Sequence, residues 1–410
     1  MSVERGLDAH ASARAPGGGE GAGGSPRTLI VSDLHLGSLP RTDLLRREDL
    51  RAALLRALSG GERVVLLGDT LELRHGPMRE ALAAARTFFE SLGEALGSRG
   101  EILLVAGNHD HALVEPWLAQ RGQDGEPAPL ALEQLLEPAQ ASPALARIAR
   151  WAAPARVRAA YPGVWLRDDV YAMHGHYLDC HLTVPTLERL SVGAMCRVLG
   201  RSADTFASVD DYETTVAPVF AWRDAVAREV RTGAALNGMA TVVAWDALSG
   251  RDGARRARGR GALARRLRRR ALAAGFPLAV AALNRAGIGP LRAELSLREL
   301  GRAGLVAIGE VATRLRLRDA YVIFGHTHRA GPLPGDDERD WRAPCGARLV
   351  NSGSWTYASI FLTDTPGESP YWPGTCVLLD GDAPPRILRL LDDRTRAQLA
   401  PARTPSASPG

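Results

Sequence analysis

The stretch Thr28-Leu29-Ile30-Val31-Ser32-Asp33-Leu34-His35 sets the pattern from which the fold of this chain can be predicted. A short apolar run ends in polar residues, which is typical of a buried strand followed by a turn. Asp33 and His35 are two residues apart, so strand-like alternation would send both side chains to the same side. One metal ion could therefore bind both.

The same pattern recurs further along the chain. Apolar runs precede four more motifs that can bind metal: Gly68-Asp69, Gly107-Asn108-His109-Asp110, His174-Gly175-His176 and Gly325-His326-Thr327-His328. Seven of the ten histidines lie in or beside the motifs, counting His111. Carboxylates, an amide oxygen and imidazoles together suit a pair of first-row divalent metals. His326 and His328 alternate as Asp33 and His35 do, so they could serve opposite metals of the pair.

Each motif taken alone has an ordinary structural interpretation. Gly68-Asp69 and the run around Asn108 would, in isolation, be interpreted as turns. In the company of the other motifs, Asp69 is better interpreted as a bridging carboxylate, and Asn108 as a metal ligand beside a proton donor. The ordered set, with each member after an apolar run, is hard to attribute to chance.

The predicted fold class is α/β (α+β). Strand signals lie at residues 28–31, 63–67, 102–105, 170–173 and 321–324. Helical patterns lie between them, for example at residues 43–58 and 78–97, and the stretch 111–160 also looks helical. Repetition of strand, ligand loop and helix predicts a core whose site lies at the strand carboxyl ends.

The chain divides into five predicted segments. Residues 1–26 and 401–410 are predicted to be disordered tails, because they are rich in small residues and proline and offer little to bury. Residues 27–180 and 319–400 are predicted to form the two parts of the core. Residues 181–318 have mostly helical periodicity and are predicted to be an insertion, or cap, on that core.

The five motifs resemble those of the calcineurin-like metallophosphoesterase superfamily, over about residues 27–180 and 319–390. The resemblance implies a four-layer αββα sandwich and two divalent metal ions, with Mn²⁺ the first expectation and Fe²⁺ or Zn²⁺ the alternatives. By this resemblance, the first metal would be held by Asp33, His35, Asp69 and His328. Asp69 would bridge to a second metal, completed by Asn108, His174 and His326.

The resemblance also implies how the site would act. Two close cations would lower the pKa of a bridging water, and the resulting hydroxide would attack phosphorus in line. His109 would donate a proton to the leaving group or stabilise it, and Asp110 would orient His109. Asn108 and His109 would also contact the substrate. His176 is expected to contact the substrate or to support the ligands from behind, with a role as a ligand itself the alternative.

The motif details favour one branch of that superfamily. Glu72 after Gly68-Asp69, and Asn351-Ser352-Gly353-Ser354-Trp355 after the last motif, resemble the UDP-2,3-diacylglucosamine pyrophosphatase branch, which has a helical cap that holds acyl chains. That branch has arginine where this chain has His109. The expected partner is a small-molecule or lipid-linked phosphoester or diphosphate. A nuclease of the same fold is the alternative, and a scaffold without activity is disfavoured because every ligand position is filled.

A block of arginine needs its own interpretation. Residues 251–270 hold ten arginines and one aspartate, which leaves the rest of the chain about −4 although the net charge is +5. The block could be a solvated surface. It could also be an amphipathic helix on anionic lipid, with Leu263 and Leu267 on one face, or a contact to nucleic-acid phosphates. The lack of aromatic residues nearby argues against single-strand binding.

The remaining signals bear on the compartment. The N-terminus lacks the apolar core of a signal peptide. The sequence also contains no run of 18 apolar residues, the length needed to span a bilayer. The four cysteines lack metal-binding spacing and are interpreted as free thiols. We therefore expect a cytoplasmic protein, with peripheral membrane contact through the arginine block as a further hypothesis.

Overall fold

The computed structural model describes residues 26–39, 41–58, 62–122, 127–229, 275–294 and 296–401. The predicted tails lie outside these ranges, apart from Pro26 and Pro401. The arginine block at residues 251–270 also lies outside them.

A large mixed β-sheet forms the centre of the fold. Its strands are β1 (Thr28–Val31), β2 (Arg63–Leu67), β3 (Glu101–Val105), β4 (Glu133–Leu136), β5 (Arg156–Arg167), β6 (Val170–Met173), β7 (Tyr321–Phe324), β8 (Arg348–Asn351), β9 (Thr375–Leu379) and β10 (Arg386–Arg389). The strand order is β10-β9-β1-β2-β3-β5-β6-β7-β8, with β4 beside β5. Neighbours are parallel from β1 to β5 and again from β6 to β8, whereas β5 and β6 are antiparallel.

The five predicted strands are present as β1, β2, β3, β6 and β7. Each ends directly before its motif, or one residue before it in the case of β3, because the apolar runs are buried on both faces and the polar residues that follow cannot continue them. The coarse α/β prediction is therefore confirmed by the mixed sheet and the helices around it.

The stretch 111–160 is less helical than expected. It contains β4 and the start of β5, the longest of the described strands, which runs from Arg156 to Arg167. Pro162 and Gly163 lie in the middle of β5, and both residues ordinarily argue against a strand. Within 111–160 the helical prediction was wrong at β4 and at the start of β5, because these segments pair with each other and with β3 despite their helical pattern.

The described α-helices flank the sheet. They are α1 (Glu48–Arg56), α2 (Met78–Leu96), α3 (Glu115–Gln120), α4 (Pro138–Ala141), α5 (Pro143–Trp151), α6 (Leu187–Leu199), α7 (Val209–Glu229), α8 (275–285), α9 (Leu297–Arg314) and α10 (Arg396–Leu399). In α2, apolar residues recur every three or four positions and are buried, among them Leu82, Phe88 and Leu92. Each such side chain contributes about 1.5–3 kcal/mol to folding when fully buried.

Two hydrophobic cores contain helix residues, and a third contains none. The first joins α1, α2 and α5 to one part of the sheet, and the second joins α6, α7 and α9 to β6, β7 and β8. The third consists of buried strand residues alone, from β1 through β9, including Ile30, Val105 and Ile323. Because no described helix contributes to it, one face of the sheet is covered by the sheet itself.

The position of Gly325 shows that the sheet is curled. β1 and β7 are separated by four strands in the sheet order. Nevertheless, a Cβ atom at Gly325, just after β7, would lie 2.4 Å from Oδ2 of Asp33, just after β1. The carboxyl ends of distant strands therefore converge, and only glycine leaves room for that approach.

The described part of the insertion is helical and shares its core with the sheet. Between β6 and β7, the described residues form α6, α7, α8 and α9 and no strand. Val216 and Phe220 of α7 are buried in the same cluster as Tyr171 of β6 and Phe324 of β7. The domain boundaries at residues 180 and 318 stay a prediction. Of the described helices, none combines the length and apolar character needed to cross a membrane.

Candidate metal centre

Five predicted ligands have a backbone conformation that is rare for residues other than glycine. The φ angle is 55° at Asp33, 46° at His35, 49° at Asp69, 65° at His326 and 59° at His328. A residue held in this left-handed region costs on the order of 1–3 kcal/mol unless its surroundings fix it. Asp and His tolerate the conformation better than most residues. Strain of this kind concentrates at functional sites, so the observation favours one for this cluster.

Asp33 and His35 come together by a different route from the predicted one. Strand β1 ends at Val31, so neither residue lies on a pleated strand. Instead, the turn after β1 pairs with the turn after β2: the backbone N–H of Asp33 donates to the carbonyl of Gly68, and that of His35 donates to the carbonyl of Asp69. The two ligand loops are thus locked to each other.

Asp33, His35 and His328 form the first ligand set. Oδ1 of Asp33 lies 3.2 Å from Nε2 of His328 and 4.0 Å from Nε2 of His35. Both Oδ1 of Asp33 and Nε2 of His35 are buried and have no hydrogen-bond partner among the described residues. Buried polar atoms are rarely left in this way. A cation between them would satisfy both.

Asp69, Asn108, His174 and His326 form the second ligand set. Oδ1 of Asn108 lies 3.1 Å from Nε2 of His174 and 3.0 Å from Nδ1 of His326. Nε2 of His174 lies 3.3 Å from Oδ2 of Asp69. Metal bonds of about 2.0–2.1 Å place neighbouring ligand atoms about 3.0–3.4 Å apart. The spacing in this set is therefore that of ligands around one ion.

The orientation of Asn108 tests whether a metal fits. As it stands, its side-chain oxygen faces acceptors only, and a cation at their centre would satisfy them. Turned over, its amide group would donate to His174, His326 and Asp69, and its oxygen would accept from Arg74 at 3.0 Å. Only the first orientation presents an oxygen atom to a metal ion, so it is the orientation that suits a bound metal.

Hydrogen bonds on the far side of two imidazoles aim them at the second set. Nδ1 of His174 donates to the carbonyl of Leu67 at 3.0 Å, so Nε2 is the nitrogen that faces the other ligands. Nε2 of His326 lies 3.0 Å from Oδ2 of Asp179, which leaves Nδ1 to face Asn108. Supporting contacts of this kind fix the ring and the tautomer of a metal-binding histidine.

Glu72 supports two further imidazoles. Its Oε2 lies 3.0 Å from Nδ1 of His35 and 2.9 Å from Nδ1 of His109. The Nε2 atoms of both rings then face Asp69, at 3.7 and 4.0 Å. In the sequence, Glu72 is visible only as a mark of the branch, and Asp179 belongs to none of the five motifs. The one available signal was their position, within a few residues after Asp69 and His174.

Two predicted roles involve Asp110 and His109. The carboxylate of Asp110 accepts backbone N–H groups from Gly107, Thr70 and Leu71, and so joins the turns after β2 and β3. Burial raises the pKa of Asp110 to about 6, and it lowers the pKa of His109 to about 4. The ring of His109 is held by Glu72, so the orienting role of Asp110 stays a prediction.

His176 lies behind the second set. Its ring is buried, with its centroid 5.7 Å from that of His174 and 5.4 Å from that of Phe220 on α7. Neither of its ring nitrogens has a hydrogen-bond partner in the described part of the chain. Burial holds the pKa of His176 well below its usual range. The ring is therefore neutral, and its predicted substrate contact stays a prediction.

The carboxylates of the centre shift the pKa values of its histidines. Burial opposes the charged form of His174, but Asp69 outweighs it and raises the pKa to about 10. Burial also opposes the charge on His35, but its hydrogen bond to Glu72 and the Asp69 carboxylate raise the pKa to about 9. Against burial, His328 lowers the pKa of Asp33 to about 2. Without a cation, imidazolium ions would therefore balance these carboxylates.

A cavity of about 810 Å³ opens onto the centre. Its polar floor includes His35, Asp69, Asn108, His109, His326 and His328. Its walls include the apolar side chains of Leu178, Leu182, Leu300, Ile360 and Phe361. Leu300 belongs to α9 of the predicted insertion, so core and insertion both shape the cavity.

Comparisons with known proteins add little to this geometry. No protein-family model matches the chain, and no curated protein matches it. Among solved structures, the chain is similar to a cold-active protein-tyrosine phosphatase of a psychrophile, Shewanella sp., with 13% identity. The match covers 88% of this chain and 76% of that chain, with a TM-score of 0.28. A likeness this weak supports no conclusion about fold or function.

Proposed function

We propose that this protein is a dinuclear metal-dependent phosphoester hydrolase of the calcineurin-like metallophosphoesterase type. The observation that carries the proposal is the meeting of two ligand sets at Asp69, whose Oδ2 lies 3.7 Å from His35 and 3.3 Å from His174. A carboxylate shared in this way is the usual means of holding two cations close together. Two-metal sites of this kind serve hydrolysis of phosphate esters.

The chemistry of the donors supports first-row divalent ions. Imidazoles with carboxylate and amide oxygens suit Mn²⁺, Fe²⁺ or Zn²⁺, and we propose Mn²⁺ as the first choice. Bound there, two such ions would supply a water of lowered pKa and neutralise the charge of the phosphate oxygens. The chain itself would bind the phosphate at the cavity floor.

We assign the proton-transfer role to His109. Its side chain lines the cavity and is 15% exposed, so a leaving group can reach its ring. Nδ1 is committed to Glu72, and burial lowers the pKa of His109 to about 4, so Nε2 is unprotonated near neutral pH. Nε2 would take up the proton that the attacking water loses and pass it to the leaving oxygen. The negative charge of Glu72 stabilises the protonated ring at that moment.

The cavity walls support a substrate with an apolar part. The polar floor would take the phosphate, and Leu178, Leu182 and Phe361 would pack against an apolar group attached to it. This division is in keeping with a lipid-linked or nucleotide-linked phosphoester or diphosphate. Peripheral membrane contact through residues 251–270 and a cytoplasmic location remain parts of the same proposal.

The finer fold is also a proposal. A four-layer αββα sandwich would explain why one core consists of strand residues alone while two others combine strands with helices. In that arrangement the two halves of the curled sheet face each other, and each outer face carries helices.

The function can be tested with a panel of chromogenic phosphate monoesters and diesters, together with plasmid DNA, with and without Mn²⁺. We expect Mn²⁺-dependent turnover of at least one small ester, little cleavage of DNA, and no turnover by Asp69→Asn. Glu101→Gln is the matched control, since Glu101 lies at the start of β3, away from the ligand loops. Turnover that survives exhaustive chelation would refute the proposal, and cleavage of DNA alone would favour a nuclease.

A further inference from the structure

A buried carboxylate of the insertion, Glu213 on α7, accepts three hydrogen bonds from the core. Its Oε1 lies 2.8 Å from Nε2 of His111. Its Oε2 accepts from the hydroxyl groups of Tyr161 at 2.7 Å and Tyr177 at 2.9 Å. Both tyrosines are fully buried and Glu213 is 7% exposed. Hydrogen bonds to an ionised acceptor are about twice as strong as neutral ones, so this cluster is rigid.

Two of these three donors lie next to ligands of the second set. His111 is three residues after Asn108, and Tyr177 is three residues after His174. Both lie in short 3-10 turns that continue directly from the ligand loops. Glu213 thus connects the two loops whose ligands meet at 3.1 Å.

The third donor supplies a fixed reference point for the cluster. Tyr161 lies in the middle of β5, the strand that pairs with β3, β4 and β6. A single carboxylate from α7 therefore fastens both ligand loops to the centre of the sheet. Among the described residues, no donor to Glu213 is a neighbour in sequence of Asp33, His35 or His328.

We propose that Glu213 is a positioning residue for the second metal ion, so that α7 holds the ligand loops of the metal centre in place. The inference rests on the proposed metal centre. It adds that the insertion sets the spacing between Asn108 and His174. Loss of the carboxylate would leave buried donors without an acceptor and let the two loops move apart.

The test is a Mn²⁺ titration of the metal-free full chain that is monitored by electron paramagnetic resonance. This method distinguishes isolated from coupled Mn²⁺ ions. The wild type should bind two ions and give the signal of a coupled pair. Glu213→Gln should lower the affinity for the second ion by about 10–100-fold, as loss of a supporting contact does. The affinity for the first ion should stay within about 3-fold of the wild-type value. With one Mn²⁺ added per chain, this variant should show the signal of isolated Mn²⁺, because only the first ion is bound.

Two further variants separate positioning from stability. Glu101→Gln removes a carboxylate at the start of β3, at the ends of the strands opposite the ligand loops. This carboxylate pairs with Arg63 of β2 at 2.8 Å and Arg158 of β5 at 2.7 Å. The substitution should lower the melting temperature without weakening either ion. Tyr177→Phe removes only one hydrogen bond to Glu213 and should lower the affinity for the second ion to a smaller degree. It provides the test if Glu213→Gln folds poorly.

The outcomes are distinguishable. Equal affinities in Glu213→Gln and wild type, or an equal loss of both ions, would overturn the positioning role while leaving the metal centre intact. A wild type that binds no Mn²⁺ would overturn the centre itself, and the role with it.

Discussion

The carboxylate of Asp69 lies 3.3 Å from Nε2 of His174, and this contact joins the two ligand sets of the centre. The same oxygen atom also faces the first set. Among the described residues, Asp69 belongs both to a candidate metal group with His35 and His109 and to one with His174 and His326. The shared carboxylate therefore governs both sites.

Asp69→Asn should impair metal binding more than His35→Ala does. Asparagine keeps the shape of Asp69 but removes the charge that both sets share, whereas His35→Ala removes one ligand of one set. We expect the affinity for both ions to fall by more than about 100-fold in Asp69→Asn, beyond the effect of losing a supporting contact. Metal content by mass spectrometry after dialysis measures this. Two ions still bound to Asp69→Asn would contradict the shared role.

Glu72→Gln should weaken the first ion and slow turnover together. Glu72 holds His35 and His109 through their Nδ1 atoms, and glutamine can satisfy the geometry of one ring but supplies no charge. The expected loss is about 10–100-fold in affinity for the first ion. Titration with Mn²⁺ and steady-state kinetics check it against Glu101→Gln. Normal affinity with normal turnover would show that Glu72 is only a packing residue.

His109→Ala should lower turnover while both ions stay bound, since we assign His109 to proton transfer. General acid catalysis contributes about 10²–10⁴-fold. The loss should be large for alkyl esters and small for p-nitrophenyl esters, whose leaving group needs little protonation. Rates across a series of leaving groups, with metal content measured in parallel, test this. Because Nε2 of His109 also faces Asp69 at 4.0 Å, loss of an ion would instead identify His109 as a ligand.

Metal binding should release protons near neutral pH. The pKa of His174 is about 10 and that of His35 about 9. Both rings are therefore imidazolium ions at pH 7.5, and a metal must displace one proton from each. We expect about two protons released at pH 7.5 and fewer as the pH rises through 9 to 10. Apparent affinity should increase with pH over the same interval. Calorimetry in buffers of different ionisation enthalpy measures the release, and a value near zero would contradict the assignment.

Replacement of the arginines at 265, 266, 268, 269 and 270 by glutamine should weaken binding to anionic liposomes. Each arginine near such a surface contributes roughly 1 kcal/mol, and salt screens it. Hydrolysis of a small soluble ester should stay unchanged, because the ligands lie on other segments. Liposome and DNA sedimentation at low and high salt are the measurements. If wild type binds neither at low salt, the block is a solvated surface.

Some of the fold could be predicted because its signals are local. Buried parallel strands need continuous apolar runs, and the runs before Asp33, Asp69, Asn108, His174 and His326 identified their strands directly. Strand β5 could not be found this way. Its Pro162 and Gly163 oppose a strand locally, and pairing with β3 and β6 decides the matter.

Local signals also failed for the residues that support the ligands. Its position shortly after His174 is the one local signal for Asp179, and nothing local in the sequence distinguishes Glu213 from other acidic residues of α7. Each acquires a role because a distant loop brings an imidazole to it: His326 reaches Asp179 across 147 positions, and His111 reaches Glu213 across 102.

By itself, the sequence determined which residues could bind metal and that each follows a strand, since residue chemistry and hydrophobic patterning are properties of short segments. Only the tertiary structure decided how these residues meet. The curl of the sheet brings the loop after β7 against the loop after β1, and left-handed turns at Asp33, Asp69 and His326 aim the side chains. Both depend on packing between segments far apart in the chain, which no local pattern encodes.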